Sequence, residues 1–318
     1  MHDFLAVYMN IYNIDNVNSL SAGCIATVGD FDGLHLGHVH ILDKLVSIAR
    51  ERHLTPLVVT FDAHPRIVLG TAGSDFRLLT ASLYERLNII RSFGIRHLLL
   101  LRFTPELAQL SACDFLNMYL CSKLRLGALL LGYDNVFGNK RANDFDRIDH
   151  FAISHGFDIL HDQPVLCQGV EISSTQIRNA LRNGDLRMAQ SMLGRPFALR
   201  GVVVQGRQLG RSIHFPTANV SLLNPFQACP ADGVYAVRVW HGERSFYGMA
   251  NLGQRPTVGD ADRSLEVHII GYQGNLYGQA LTVEFFYHLR PVVCFDSVAV
   301  LALQLQDDLQ RTKSFFGI

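Results

Sequence analysis

The chain has 318 residues, enough for two domains of ordinary size, and 48% of them are hydrophobic, which is ample for packed cores. Its 28 Lys and Arg balance 28 Asp and Glu to a formal net charge of zero, which argues against an electrostatic nucleic-acid binder but allows a local basic pocket for a nucleotide. Six cysteines at 24, 113, 121, 167, 229 and 294 form no C-x-x-C pair and no dense framework; with no signal-peptide pattern and no run of about 18 apolar residues, the expectation is a cytoplasmic protein with reduced thiols and no membrane span.

In the first half, strand-like segments at 24–28, 56–61, 97–101, 128–132 and 158–160 alternate with helix-like stretches near 36–52, 81–93, 111–123 and 144–155. This βαβα order predicts a Rossmann-like α/β domain, a parallel sheet covered on both faces with right-handed crossovers. The first strand runs into Gly29-Asp30-Phe31-Asp32-Gly33-Leu34-His35-Leu36-Gly37-His38. That turn falls at the carboxyl end of the strands, where ligands bind in such sheets. Glycines let backbone approach a phosphate, and the following helix N-terminus favours negative charge. His35 and His38, in an H-x-G-H pattern, are placed to face one phosphate, as in nucleotidyltransferases that act at a nucleotide α-phosphate. Two other readings stay open here: a metal cluster of His35, His38 and His40 with Asp30 or Asp32, and a tight turn with solvated histidines.

Further on, Ser173 followed by Gln176 is a capping-box pattern. A helix starting there would aim backbone N–H groups, Ser174, Thr175 and Arg178 at an anion, or would simply be well capped with a surface arginine. A second helix is expected near 186–193, after Asn183-Gly184-Asp185. The texture then changes to short β-rich segments at 197–204, 233–239, 245–251, 265–270 and 281–286, separated by turn residues, which predicts a small antiparallel barrel or sandwich. A terminal helix from 296 to about 313, with Val300, Leu301, Leu303 and Leu305, is expected to pack on it. These changes suggest domains over 1–186 and 187–318. Within the second, Gly206-Arg207-Gln208-Leu209-Gly210-Arg211 precedes Phe215-Pro216-Thr217-Ala218-Asn219. Thr217 and Asn219 offer oxygen ligands that suit a phosphate–Mg²⁺ unit, against the alternative of a polar hairpin loop. Glu266 is the candidate general base, or else an exposed strand carboxylate.

Taken in order, these segments resemble the bifunctional bacterial riboflavin kinase/FMN adenylyltransferase (FAD synthetase) family. The further landmarks are Thr60-Phe61-Asp62-Ala63-His64-Pro65, the Gly132–Gly138 loop, Asn251-Leu252-Gly253-Gln254-Arg255-Pro256-Thr257 and Leu265-Glu266-Val267-His268. The resemblance implies two Mg²⁺- and ATP-dependent reactions: phosphorylation of riboflavin to FMN in the C-terminal barrel, and adenylylation of FMN to FAD with release of pyrophosphate in the N-terminal domain. It implies that His35 and His38 stabilise charge on the ATP phosphates and that Gly29, Asp30, Phe31 and Gly37 shape the nucleotide turn. It places Asp134 near ATP or flavin, and Ser174, Thr175 and Arg178 on phosphate oxygens. Gly210 falls in the barrel's phosphate loop, Thr217 and Asn219 hold Mg²⁺ and ATP phosphates, and Glu266 takes the riboflavin hydroxyl proton. Departures from the family pattern are His214 for a usual Gly, Asn135 and Val136 for Phe and Arg, Ala63 for Pro and Gly271 for Asp. His214 is expected to slow or tune the kinase. A paralogue with only the adenylyltransferase, or a flavin binder without turnover, are the alternatives.

Overall fold

The computed structural model describes residues 8–17, 23–73, 76–80, 82–133, 145–206, 215–254 and 263–318. The chain forms two compact units, one of Met1–Phe76 with Ser82–Ile172, the other of Arg77–Ala81 with Ser173–Ile318.

The first unit is an α/β sandwich. Its strands are β1 (Asn10–Tyr12), β2 (Cys24–Val28), β3 (Thr55–Phe61), β4 (His97–Leu101), β5 (Leu126–Leu131) and β6 (Asp158–His161), in the order β1-β4-β3-β2-β5-β6. Every neighbouring pair is parallel. Strands buried on both faces read as continuous apolar runs rather than alternations, and all five residues of β2 are buried. Successive residues feed opposite layers: Ala26, Leu57 and Leu129 join one core cluster, Ile25, Val58 and Leu130 the other. The helices are α1 (Leu36–Glu51), α2 (Pro65–Val68), α3 (Leu83–Ser92), α4 (Pro105–Gln109), α5 (Ala112–Phe115) and α6 (Phe145–His155). The single helix expected over 111–123 is instead α5 followed by a π-helical segment, Leu116–Cys121. The strand order reverses direction between β2 and β5, so the switch-point crevice opens at the carboxyl end of β2. A short antiparallel pair, β7 (Leu166–Cys167) and β8 (Val170–Glu171), closes this unit.

The second unit begins with α7 (Ser174–Arg182) and α8 (Leu186–Leu193). Ser173 caps α7, its side chain accepting from the Gln176 N–H at 3.3 Å. Next come β9 (Phe197–Val204), β10 (Ala218–Leu222), β11 (Gly233–His241), β12 (Arg244–Gln254), β13 (Arg263–Ile269) and β14 (Ala280–Arg290). They close into an antiparallel barrel in the order β10-β13-β12-β11-β14-β9. The alternative of a sandwich is thereby settled in favour of closure, which leaves no free sheet edge. Burial alternates with the pleat: Phe197, Leu199 and Val203 on β9, Leu265 and Val267 on β13, and Leu281, Val283 and Phe285 on β14 are buried. Period-two alternation puts them in the barrel interior and their neighbours on the outer wall.

The terminal helix, α9 (Val298–Phe316), covers part of that wall, and of the residues the sequence singled out Leu305 packs there. Val300 and Leu303 are exposed. Leu305, Leu309 and Phe316 instead pack on Phe215, Val234, Met249 and Leu289, and the deeply buried positions of the helix are Asp308 and Thr312. The reason is an ion pair. Arg290, at the end of β14, donates from Nε and Nη2 to both oxygens of Asp308 at 2.8–3.0 Å, and Gln304 donates to the same carboxylate at 3.1 Å. Among the described residues no helix is long and apolar enough to cross a membrane.

Candidate functional site

The first constellation sits on the turn between β2 and α1. The Gly29 N–H donates to the Val59 carbonyl at 3.1 Å, prolonging the β2–β3 pairing. The chain then passes through left-handed φ values at Phe31 (52°), Gly33 (83°) and Leu34 (41°). Two non-glycine residues in that region are costly and persist only where the surroundings over-determine them. Here Phe31 and Leu34 are buried anchors of the core. His35 caps α1, its Nδ1 accepting from the His38 N–H at 3.3 Å. A ring that accepts at Nδ1 carries its proton at Nε2, so His35 presents Nε2–H as a donor. His38 stacks on His35 with centroids 3.7 Å apart, and Phe31 lies 5.2 Å from His38. Gly37 permits this stacking, because a Cβ there would come within 3.1 Å of His35 Nδ1. Expected site residues Gly29, Asp30, Phe31, His35, Gly37 and His38 thus share one turn at the N-terminus of a 16-residue helix, a place suited to phosphate. The metal-cluster alternative gains no support: among the described residues no group of three or more His, Cys, Asp or Glu side chains is arranged to hold a metal ion.

Sequence reasoning left two participants without a role. His64 caps α2 by accepting the Arg66 N–H at Nδ1, 3.2 Å away, and its Nε2 lies 3.1 Å from Asp30 Oδ2. Burial pushes the Asp30 carboxyl above the usual carboxylate range, with Asp32 adding to the rise, while His64 and Arg86 oppose it. Arg86, on α3, is 6% exposed. It donates to the Asp30 carbonyl at 2.7 Å and to the Phe61 carbonyl, joining the ends of β2 and β3. The signal was in the sequence: Arg86 stands four residues before Ile90 on the buried stripe of a helix that otherwise hides apolar groups.

Across the same unit, Asp162 follows β6 and receives Lys44 Nζ at 2.7 Å and the Gln163 N–H at 2.9 Å, with His40 beside it. Burial acts to raise its pKa, but these donors outweigh it and hold the carboxyl below its ordinary value. Cys24, packed inside the sheet, has its thiol pushed by burial up to about 12, so it supplies no nucleophile.

Ser174, Thr175 and Arg178 belong to the second unit, on the first turns of α7. Ser174 is half-buried and Thr175 exposed. Arg178 is buried and donates from Nε to the Arg77 carbonyl at 2.6 Å. Asp134, Gly210 and His214 lie outside the described residues, as do Asn135, Val136, Arg207 and Arg211.

The barrel brings its candidates into one rung. Asn219 on β10 stands opposite Glu266 on β13, and Glu266 stands opposite Asn251 on β12. Each is half-buried, and each lies one residue from an inward-facing neighbour, so all three look out from the barrel wall. Gly206 lies against this rung: a Cβ there would meet the Asn219 carboxamide, which would have to move. The approach to Asn219 is fixed by Phe215, buried under α9, and by His268, whose Nδ1 donates to the Pro216 carbonyl at 2.9 Å. Thr217 is exposed, two residues before Asn219. Asn251, a landmark without a role in the sequence, is brought opposite Glu266 by register. Gly271, a departure from the family pattern, has a φ of 70°, which glycine adopts without strain.

A phosphate-suited turn at the switch point of a parallel sheet and a small closed antiparallel barrel with an outer polar rung are the features that the comparisons address. The family model for FAD synthetase matches residues 17–176, and that for riboflavin kinase matches residues 193–316. The chain is 39% identical over 297 residues to the bifunctional riboflavin kinase/FMN adenylyltransferase of Escherichia coli (strain K12), covering 93% of this chain and 94% of that protein. It is 34% identical over 308 residues to the enzyme of the same name from Haemophilus influenzae, covering 96% and 99%. A crystal structure of a Streptococcus pneumoniae protein described as a macrolide-efflux protein superposes with a TM-score of 0.85 at 30% identity, over 95% of this chain and 98% of that one. The chain belongs to the bifunctional riboflavin kinase/FMN adenylyltransferase family.

Proposed function

We propose that this chain makes FMN and then FAD from riboflavin and ATP, with the barrel as kinase and the α/β unit as adenylyltransferase. The observation that carries the reading is that the FAD synthetase match covers most of the first unit and the riboflavin kinase match lies within the second, and that each unit presents a polar site. The assignment of residues 1–186 to the adenylyltransferase and 187–318 to the kinase is our division; the stretch 177–192 lies between the two matches.

In the kinase, Glu266 removes the proton of the riboflavin 5′-hydroxyl as that oxygen attacks the γ-phosphorus of ATP, and ADP leaves. Asn219 and Asn251, flanking Glu266 in the same rung, hold its carboxylate and the reacting groups in register. Thr217 and Asn219 both offer oxygen donors, the ligand type that suits a small hard cation. Mg²⁺ held by Thr217 and Asn219 supplies neutralisation of phosphate charge when bound. In the adenylyltransferase, a phosphate oxygen of FMN attacks the α-phosphorus of ATP and pyrophosphate leaves. His35 and His38, with the N–H groups opening α1, stabilise the charge that grows on the α-phosphate oxygens. Gly29, Asp30, Phe31 and Gly37 shape the turn that presents them. Ser174, Thr175 and Arg178 hold phosphate oxygens, Asp134 lies near ATP or flavin, and Gly210 lines the kinase phosphate loop, in each case by family position. A cytoplasmic location is part of this proposal; the scattered cysteine positions, with no C-x-x-C pair, support it.

A chromatographic time course with riboflavin, ATP and MgCl₂, repeated with FMN in place of riboflavin, tests the reading. FMN followed by FAD from riboflavin supports both sites. FAD from FMN alone reduces the chain to an adenylyltransferase, and no product with either substrate overturns the proposal.

A further inference from the structure

Arg86 is a charged side chain that the chemistry above does not use, and its position asks for an account. A buried guanidinium is expensive, and replacing a buried charge by an apolar group is often neutral or stabilising. Arg86 is 6% exposed on a helix whose other buried residue is Ile90, yet it keeps the charge. Its Nε makes no hydrogen bond among the described residues. Its two Nη atoms go to backbone carbonyls: Phe61 O, at the end of β3, and Asp30 O, two residues past the end of β2. Those carbonyls belong to the two turns that carry His35 and His38 on one side and His64 on the other. The carboxylates of Asp30, Asp32 and Asp62 surround it, which explains why the charge is tolerated and why the fork is not open to a phosphate.

The attachment point matters. Asp30 immediately precedes Phe31, the first of the non-glycine residues in left-handed conformation, and Asp30 itself meets His64 at 3.1 Å. A turn with this backbone needs external ties to stay in one conformation. Phe31 and Leu34 supply apolar anchors further along. Arg86 supplies the polar anchor at its start and sets the spacing between the β2 and β3 turns.

We infer that Arg86 is a positioning residue for adenylyl transfer: by clamping the Asp30 and Phe61 carbonyls it holds the Gly29–His38 turn in the conformation that aims His35 and His38 at the α-phosphate. The inference rests on the assignment of adenylyl transfer to this turn. It acts on alignment, which catalysis feels more strongly than ground-state binding does; an ångström of misplacement can cost on the order of 100-fold in rate. A lysine reaches one carbonyl as a point donor and lacks the fork, so Arg86→Lys keeps the charge and loses the clamp.

The test uses the full chain and three readouts on Arg86→Lys and Arg86→Met. FAD formation from FMN is expected to fall at least tenfold in kcat for Arg86→Lys and further for Arg86→Met, with the KM for ATP within about threefold of wild type. FMN formation from riboflavin is expected within twofold, because the kinase belongs to the other unit. Hydrogen exchange is expected to quicken at the amides of 29–38 while those of β2 and β3 stay protected, which also shows that the unit is folded. Unchanged kcat in a folded variant, a rise in KM alone, or exchange spreading into β2 and β3 overturns the inference. Wild-type protein that makes no FAD from FMN would instead bring down the functional assignment on which it rests.

Discussion

Removing the Asp308 carboxylate should weaken the barrel more than any apolar truncation on α9. Asp308 is fully buried and Arg290 is 13% exposed in side-chain terms. Three hydrogen bonds from Arg290, at 3.0, 2.9 and 2.8 Å, and one from Gln304 Nε2, at 3.1 Å, reach the carboxylate. Adding charge-assisted bonds at roughly 1.5–3 kcal/mol each would overstate the effect, because dehydrating both ions cancels most of the sum. The relevant loss is that of a buried charge stripped of its partner, about 3–5 kcal/mol. Arg290 keeps some access to water and a Phe295 ring 5.4 Å away, which sets Asp308→Ala at the lower end, about 3 kcal/mol. For a unit of this size that corresponds to roughly a 10 °C fall in Tm. The chain offers a clean probe: Trp240, its single tryptophan, lies on β11, so tryptophan fluorescence during urea or thermal unfolding follows the barrel. The paired replacement Arg290→Met with Asp308→Leu should recover most of the loss, since well-packed apolar groups often match a buried ion pair. A shift below about 1 kcal/mol for Asp308→Ala, or a double variant as weak as the single one, would refute this account of how α9 is held.

The two activities should separate by mutation. His38→Ala is expected to cut FAD formation from FMN by about 100-fold or more and spare FMN formation, while Glu266→Ala lowers FMN formation by roughly 100- to 10,000-fold and spares adenylylation; either change stopping both activities in folded protein contradicts the two-site assignment. His214→Gly should raise the riboflavin kinase rate, and unchanged kinase kinetics would remove His214 as a cause of tuning. Mild acid should loosen the barrel through His288, whose imidazole burial holds below its ordinary 6.5, partly opposed by a backbone hydrogen bond at Arg290. The unfolded chain therefore binds the proton first, and stability is full above that value and declines as pH falls through it. Tryptophan-monitored urea midpoints at pH 7.5 and 5.5 should differ less in His288→Gln than in wild type.

Much of the architecture is legible in the residues. Cys24–Val28 is apolar except for Thr27 because both its faces are covered, and the barrel strands β9, β13 and β14 alternate because only one face is. Capping chemistry marked α7 through Ser173, and Leu186–Leu193 follows its Asp185 cap. Short or polar strands escaped: β1 has three residues, and Ala218–Leu222 reads Ala-Asn-Val-Ser-Leu, whose pairing with β9 and β13 comes from barrel closure. The stripe of α9 was misread because its buried face runs through Leu305, Asp308, Leu309, Thr312 and Phe316, and a carboxylate and a hydroxyl hide in it. At the sites, His35, His38, Asn219 and Glu266 were visible as motif residues. Arg86, His64 and Asn251 were not, because their roles arise from which strand ends and rungs become neighbours, and that is a property of register rather than of local sequence.

The polar rung of the barrel lies on its outside, and the inside is filled by side chains such as Leu199, Val267, Val283 and Phe285. A barrel that worked through its lumen would have to compromise between filling that space and admitting a ligand. Here the two demands fall on alternate residues of the same strands. Interior positions can therefore drift or be redesigned for heat tolerance by volume-conserving exchange while the wall proposed to carry the reaction stays as it is, and changes in substrate preference can accumulate there without hollowing the support behind it.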